Sequence, residues 1–256
     1  METASNRPLT IFLMIIWLAA AGVLTPVKTS ADDDFTRYND TFESLREDNW
    51  DRAQLTFNDE QLDNFKLGDL DIVDNRLRIS TKTGGFSKAG LSSRYSIRGD
   101  FDVQIDCQVK FNRSMSGMDH FVNFVALTRA ENFNASQKAT VSLVYRSGQR
   151  GPAIAFMHIQ NQKKVKRKHQ KISNFNGVLR LVREGQKMTG YYQPEGSSRW
   201  RTLGSSSSFA TEDVMVGFVL QNLASQRKKI KAASPVEVYF DNFRINQAGE
   251  VIEDEI

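Results

Sequence analysis

Asp102, Gln104 and Asp106 occupy alternate positions in Phe101–Phe111, a stretch in which every second residue is apolar. An extended chain turns residues i, i+2 and i+4 to one side, so two carboxylates and an amide share a face. Glycoside hydrolysis requires two carboxylates flanking a bond, one as acid and one as base or nucleophile. Asp102 and Asp106 are therefore the catalytic candidates. The amide between them weakens that reading, because Gln104 carries no charge with which to push its neighbours' pKa values apart. The alternative is the solvated face of a half-buried strand. Cys107 keeps the apolar phase of the same stretch, which marks an inert buried thiol rather than a nucleophile. His120, His158 and His169 lack ligand spacing, and neither a phosphate-cradling glycine loop nor a nucleophile elbow occurs.

Binding chemistry is better represented. Tyr191-Tyr192 and Trp200 could stack on sugar rings, with cross-strand packing as the alternative. Lys163, Lys164, Lys166, Arg167, Lys168 and Lys171 place six fixed positive charges between Gln162 and Lys171, and Arg227–Lys231 adds four more. Both runs read as exposed basic loops. The pattern in Val165–Ile172, three basic residues, a two-residue gap and a further basic residue, is common in heparin-binding segments. Gln104, Tyr192, Trp200 and the basic residues of the first run are thus the ligand-binding candidates, and the expected partner is a polysaccharide or glycoconjugate, an anionic one if the basic run engages it. The bland alternative is a solvated loop that keeps the protein soluble.

The elements that must position these groups are strands. Val178–Arg183 and Lys187–Gln193 meet across Glu184-Gly185-Gln186, a hairpin signal, and Pro194–Ser198 supplies a second turn before Trp200. Asp74-Asn75 separates Leu70–Val73 from Arg76–Ile79 in the same way. Arg98-Gly99-Asp100 reads as a turn launching Phe101–Phe111. Phe121–Arg129, Thr140–Arg146, Pro152–Gln160 and Val214–Gln221 are further strands. In Val236–Ile245 the apolar phase shifts at Asp241-Asn242, which predicts a β-bulge. Glu250–Ile256 reads as a short, frayed acidic tail. No helix of convincing period is present, and the strands imply an all-β, two-sheet antiparallel jelly-roll sandwich.

Composition sets the compartment. Hydrophobic residues at 40% and charged residues at 25% are ordinary for a globular chain. Arg7 precedes an apolar run, Ile11–Leu24, followed by small residues at Thr29-Ser30-Ala31 and the acidic start Asp32-Asp33-Asp34. This predicts a signal peptide over residues 1–31, a single domain over 32–256 and an exported protein with no membrane span after cleavage; a retained anchor is the alternative. Removing Glu2, Arg7 and Lys28 with the leader takes the formal net charge from +4 to +3, so the basicity is local rather than general. Export also argues against nucleic acid as the partner. With one cysteine, stability must come from packing rather than from an internal disulfide.

Four stretches in order resemble the concanavalin A-like lectin/glucanase superfamily, including its laminin G-like modules. They are Asn75–Ile79, Gly99–Val103, Leu179–Gly185 with Tyr191-Tyr192 and Trp200, and Val238–Ile245, together spanning Asp40 to Asn246. The resemblance implies a carbohydrate-binding module or a glucanase of the laminarinase type. In the family-16 glycoside hydrolases a strand carries Glu, Asp and Glu at the alternate spacing seen in Asp102, Gln104 and Asp106. Here the outer pair is shortened and the centre is an amide, so a glucanase would have a degenerate site. The resemblance also implies a structural calcium held by Asp241 with Asp40; the alternative is Asp241 capping the bulge without metal.

Overall fold

The computed structural model describes residues 35–52, 65–83, 86–111, 118–128, 136–146, 149–161, 163–224 and 235–253. A 3-10 turn (Phe35–Tyr38) precedes β1 (Trp50–Arg52), β2 (Phe65–Leu67), β3 (Asp69–Val73), β4 (Arg76–Ser80), β5 (Phe86–Ser93) and β6 (Tyr95–Val109). Then come β7 (Met118–Thr128), β8 (Gln137–Tyr145), β9 (Ala153–Gln160), β10 (Lys163–Lys171) and β11 (Phe175–Glu184). The chain closes with β12 (Lys187–Pro194), β13 (Arg201–Ser206), β14 (Val214–Ala224) and β15 (Glu237–Glu253).

Two layers result. One, the β6 sheet, runs β3-β4-β15-β6-β11-β12-β13; the other, the β8 sheet, runs β5-β14-β7-β8-β9-β10. A single residue pair, Val214 with Ile97, joins them along this path. Pairing is antiparallel except where β2 adds to β5 in parallel. Between the layers lies the core. A Cβ added to Gly190 of β12 would sit 2.7 Å from Phe156 of β9 and 2.8 Å from Val141 of β8, so the sheets meet there with no room for a methyl group. At the other end Trp50, Phe218, Phe240 and Phe243 pack ring against ring, with centroids about 5–6 Å apart.

Turn chemistry follows the sequence. Asp74 and Asn75 take φ of 52° and 54°, left-handed values that a two-residue hairpin needs and that Asp and Asn tolerate. Gly185 (φ 57°) serves the β11–β12 hairpin. The bulge forms where the apolar phase shifts: Asn242 (φ 48°) and Phe243 oppose Ile105 alone between the Asp241–Asp106 and Arg244–Gln104 pairs. Cys107 is buried, and burial together with the Asp106 charge pushes its thiol up, out of reach as a nucleophile.

Three expectations are corrected. Arg98-Gly99-Asp100 is not a turn, because β6 runs through it with Gly99 at φ 73°. The buried Arg183 donates from Nε (2.6 Å) and a terminal nitrogen to the Gly99 carbonyl, fixing the kink. The tail does not fray before Glu253: Val251 pairs with Ile97, and Tyr38 donates to Glu253 at 3.0 Å. Residues 163–171 are not a loop but the edge strand β10, paired with β9. Its polarity hid the period, since an edge strand needs no apolar face and lysines there also deter pairing with other chains. The second basic run, Arg227–Lys231, and the leader lie outside the described residues.

Candidate functional site

Each sheet turns one face away from the core, and the two outer faces differ in how their polar groups are occupied. On the β6 sheet, Asp102, Gln104 and Asp106 point outward as their spacing predicts. Asp102 accepts from Arg180 Nε at 2.7 Å and from a second guanidinium nitrogen, a bidentate pair. Asn246 Nδ2 donates to Asp102 (3.2 Å) and to Gln104 (3.0 Å), while Asn242 donates to Asp106 at 3.0 Å. Arg180 lies over Trp200 and Tyr191, with its Cζ 5.0 and 5.7 Å from their ring centroids. Arg76 bonds Gln108 and covers Tyr239; Arg78 pairs with Asp71 and Glu237. Burial raises the Asp106 pKa against the smaller pull of Asn242 and Arg244. The carboxylates that catalysis would use are thus engaged by this face's own side chains. Tyr192 is not on it: the ring is 4% exposed on the core side and its hydroxyl meets Gln170.

On the β8 sheet the alternation of β7 puts Phe121, Asn123 and Val125 outward. Opposite them β8 places Val144, Ser142 and Thr140, then β9 places Ala153, Ala155 and Met157, and β10 places Lys171, His169 and Arg167. The middle of this face is built of small or neutral side chains and is itself buried, with Ser142 at 0% and Ala155 at 1% exposure. Ser142 donates to Asn123 at 2.7 Å. Cations stand around it: Lys138 on β8, Lys164, Arg167 and Lys171 on β10, Lys88 on β5, and Arg146 just past β8. Burial, then the Lys88 charge, pushes the Lys138 pKa down. Among the described residues no salt bridge reaches Arg146 or Arg167.

The basic run therefore divides. Lys164, Arg167 and Lys171 join the outer face, whereas Lys163, Lys166 and Lys168 stand opposite inward-facing positions of β9, with Lys168 beside Gly204 of β13. A register shift between Lys164 and Lys166 leaves Val165 unpaired and sets this division. Sequence reasoning missed Arg146, Phe121, Lys138 and Lys88; Lys138, Thr140, Ser142, Val144 and Arg146 share one parity, a signal that alternation alone could have flagged.

The expected calcium ligands have other partners. Asp40 Oδ1 accepts the Phe42 amide and Oδ2 accepts Trp50 Nε1, both at 2.7 Å, which holds the left-handed Phe42 and anchors the aromatic core. Asp241 Oδ1 accepts the Asn242 amide at 2.7 Å and so caps the bulge. Calcium takes about six to eight oxygens, and no group of three His, Cys, Asp or Glu side chains able to hold a metal occurs among the described residues. These two residues do not fit a calcium site. His158 is likewise structural: Ser206 (2.8 Å) and Gln137 (3.1 Å) hold its two nitrogens, and burial lowers its pKa.

Residues 32–245 match the family described as "Protein of unknown function (DUF1583) C domain". Among curated proteins none matches. The fold is that of the concanavalin A-like lectins and glucanases. LamAcat from Zobellia galactanivorans aligns with TM-score 0.58 at 12% identity, over 82% of this chain and 96% of its own. A Bacillus licheniformis β-glucanase aligns with TM-score 0.57 at 10% identity, over 82% and 97%. A legume lectin-like domain from Entamoeba histolytica aligns with TM-score 0.52 at 12% identity, over 78% and 91%.

Proposed function

The chain belongs to the DUF1583 C-domain family, and from the outer face of its β8 sheet we propose that it is an exported module that binds an acidic polysaccharide without hydrolysing it. The observation that carries this reading is the contrast between the faces. Exposed basic residues of β10, Lys164, Arg167 and Lys171, lie along the edge of the β7–β10 face, and no salt bridge reaches Arg146 or Arg167 among the described residues, while the carboxylates and arginines of the β6 sheet are matched to one another. A lectin-like domain and a β-glucanase on the same fold make a glycan the natural ligand class.

Hydrolysis by a degenerate glucanase site is the weaker reading. Asp102 is held by Arg180 and Asp106 by Asn242, and Gln104 between them has no charge. A bidentate arginine occupies both oxygens of its carboxylate, so Asp102 is poorly placed to attack a sugar or to hand it a proton. The predicted leader supports an extracellular or envelope setting, where acidic polysaccharides are abundant.

The test uses the full chain and immobilised polygalacturonate, with a neutral β-glucan as reference. Lys164→Glu with Lys171→Glu changes the outer face; Lys163→Glu with Lys166→Glu makes the same charge change on the other side of β10. The outer pair should weaken binding to polygalacturonate by about tenfold or more, while the inner pair changes it far less. Binding should also fall as salt rises. Equal losses from the two pairs, or no binding to either glycan, would overturn the proposal.

A further inference from the structure

β10 is the last strand of its sheet, and among the described residues it pairs only with β9. All nine of its residues are exposed, even those on the side of the core. There the facing sheet has run out, and Lys168 lies against Gly204 of its edge strand β13. Beyond the register shift at Val165, residues 166–171 pair evenly with residues 153–158. The next rung of that ladder fixes its phase, because the Ile172 amide donates to the Pro152 carbonyl at 3.1 Å. Such rungs alternate in an antiparallel pair. Lys166, Lys168 and Gln170 therefore turn their N–H and C=O groups to β9, and Arg167, His169 and Lys171 turn theirs to the open edge.

An open edge is a template for another strand, and its side chains decide which strand can use it. Lys163, Lys164, Lys166, Arg167, Lys168 and Lys171 put six fixed charges into nine residues. At strand rise that is one charge per about 5 Å, inside the screening length of about 8 Å at physiological ionic strength, so they repel one another. Among the described residues none of the six has a salt bridge. The charges stand on both sides of the strand. A second β10 would set cation against cation, and a neutral strand would leave the repulsion in place. Only a strand with carboxylates on both sides offsets it, so the lysines that keep other strands away select an acidic one. A polysaccharide can meet the charges, but it has no backbone of alternating donors and acceptors at strand spacing. We propose that β10 is a docking edge for an extended acidic segment of a partner protein, which adds as a further strand through the main-chain groups of Arg167, His169 and Lys171. The docking edge goes beyond the glycan reading and does not depend on it, since it uses the strand's free backbone rather than the outer face.

Hydrogen exchange and titration calorimetry on the full chain test it with three probes. One is an extended peptide of about eight residues rich in Glu and Thr; the second is the same peptide with every backbone nitrogen methylated, which keeps the charge and loses the donors; the third is a galacturonate oligosaccharide. In the free protein the amides of Lys168 and Gln170 should exchange slowly and those of Arg167, His169 and Lys171 fast. The first peptide should slow the latter three by about tenfold or more, and the methylated peptide and galacturonate should leave them fast. His169→Pro removes an edge-facing donor, none of the six charges and no bond to β9, and should weaken the first peptide by about tenfold or more. Lys166→Ser with Lys168→Ser should weaken it too and flatten its salt dependence. If the methylated peptide binds as tightly as the first and the three amides stay fast, charge alone holds the segment and the docking edge is wrong. It is equally wrong if the first peptide does not bind. A dimer of the free protein that His169→Pro dissociates would make a second copy the occupant and overturn the acidic partner. Exchange on the parent chain decides the matter even where His169→Pro disturbs β10. Galacturonate binding that is lost in Lys164→Glu with Lys171→Glu keeps the glycan reading standing when the peptide fails, so the two can fail separately.

Discussion

Replacing Asp102 by Asn separates a structural carboxylate from a catalytic one. The pair it forms with Arg180 is largely shielded, with side-chain exposures of 13% and 26%. Breaking a fully buried pair by removing one partner costs about 3–5 kcal/mol, and an exposed pair contributes about 0–1 kcal/mol. Arg180 keeps the rings of Trp200 and Tyr191, and an asparagine oxygen can still accept one of its two bonds. The expected loss is therefore about 1.5–3 kcal/mol, or roughly 3–12 °C in midpoint for a domain of this size. Thermal unfolding followed by circular dichroism at pH 7 reads it directly. Adding Arg180→Gln should cost less than the sum of the two single changes, because the second removes a charge that the first left unpaired. An unchanged midpoint in Asp102→Asn, together with β-glucan hydrolysis in the parent that the variant lacks, would refute the reasoning.

Two further predictions concern packing and titration. Gly190→Ala should destabilise by about 1–3 kcal/mol, because its methyl would overlap Phe156 and Val141 across the sandwich; a denaturant midpoint at or above that of the parent would contradict the inter-sheet contact. Burial raises the folded-state pKa of Asp106 above its unfolded value, so folding favours its protonated form. That contribution is present below the unfolded pKa and is lost as pH rises through the folded one. Asp106→Asn should accordingly raise the midpoint at pH 7, and the difference should disappear on acidification below the ordinary aspartate range. A gain that persists at low pH would point to another cause.

Much of the fold was legible because its signals are local. Alternation in Phe101–Val109, the Asp74-Asn75 and Gly185 turns and the phase shift at Asp241 each reflect one strand or one turn. β10 was not legible, since its place at an edge is decided by pairing with β9 rather than by its own apolar period. Strand faces could be read, but not which strands are neighbours. Phe121 and Arg146 meet only because β7 and β8 lie side by side. For the same reason Asp102 and Asp106 looked available: Arg180, Asn242 and Asn246, which engage them, are more than seventy positions away in the chain.

The most direct measurement is a crystal structure of the full chain grown with the acidic oligosaccharide that binds best. The account predicts sugar density on the outer face of the β8 sheet, with its acid group beside the β10 cations Lys164 and Lys171. Density on the β6 sheet instead, against Trp200 and Tyr191 with Asp102 and Asp106 on either side of a glycosidic bond, would contradict it.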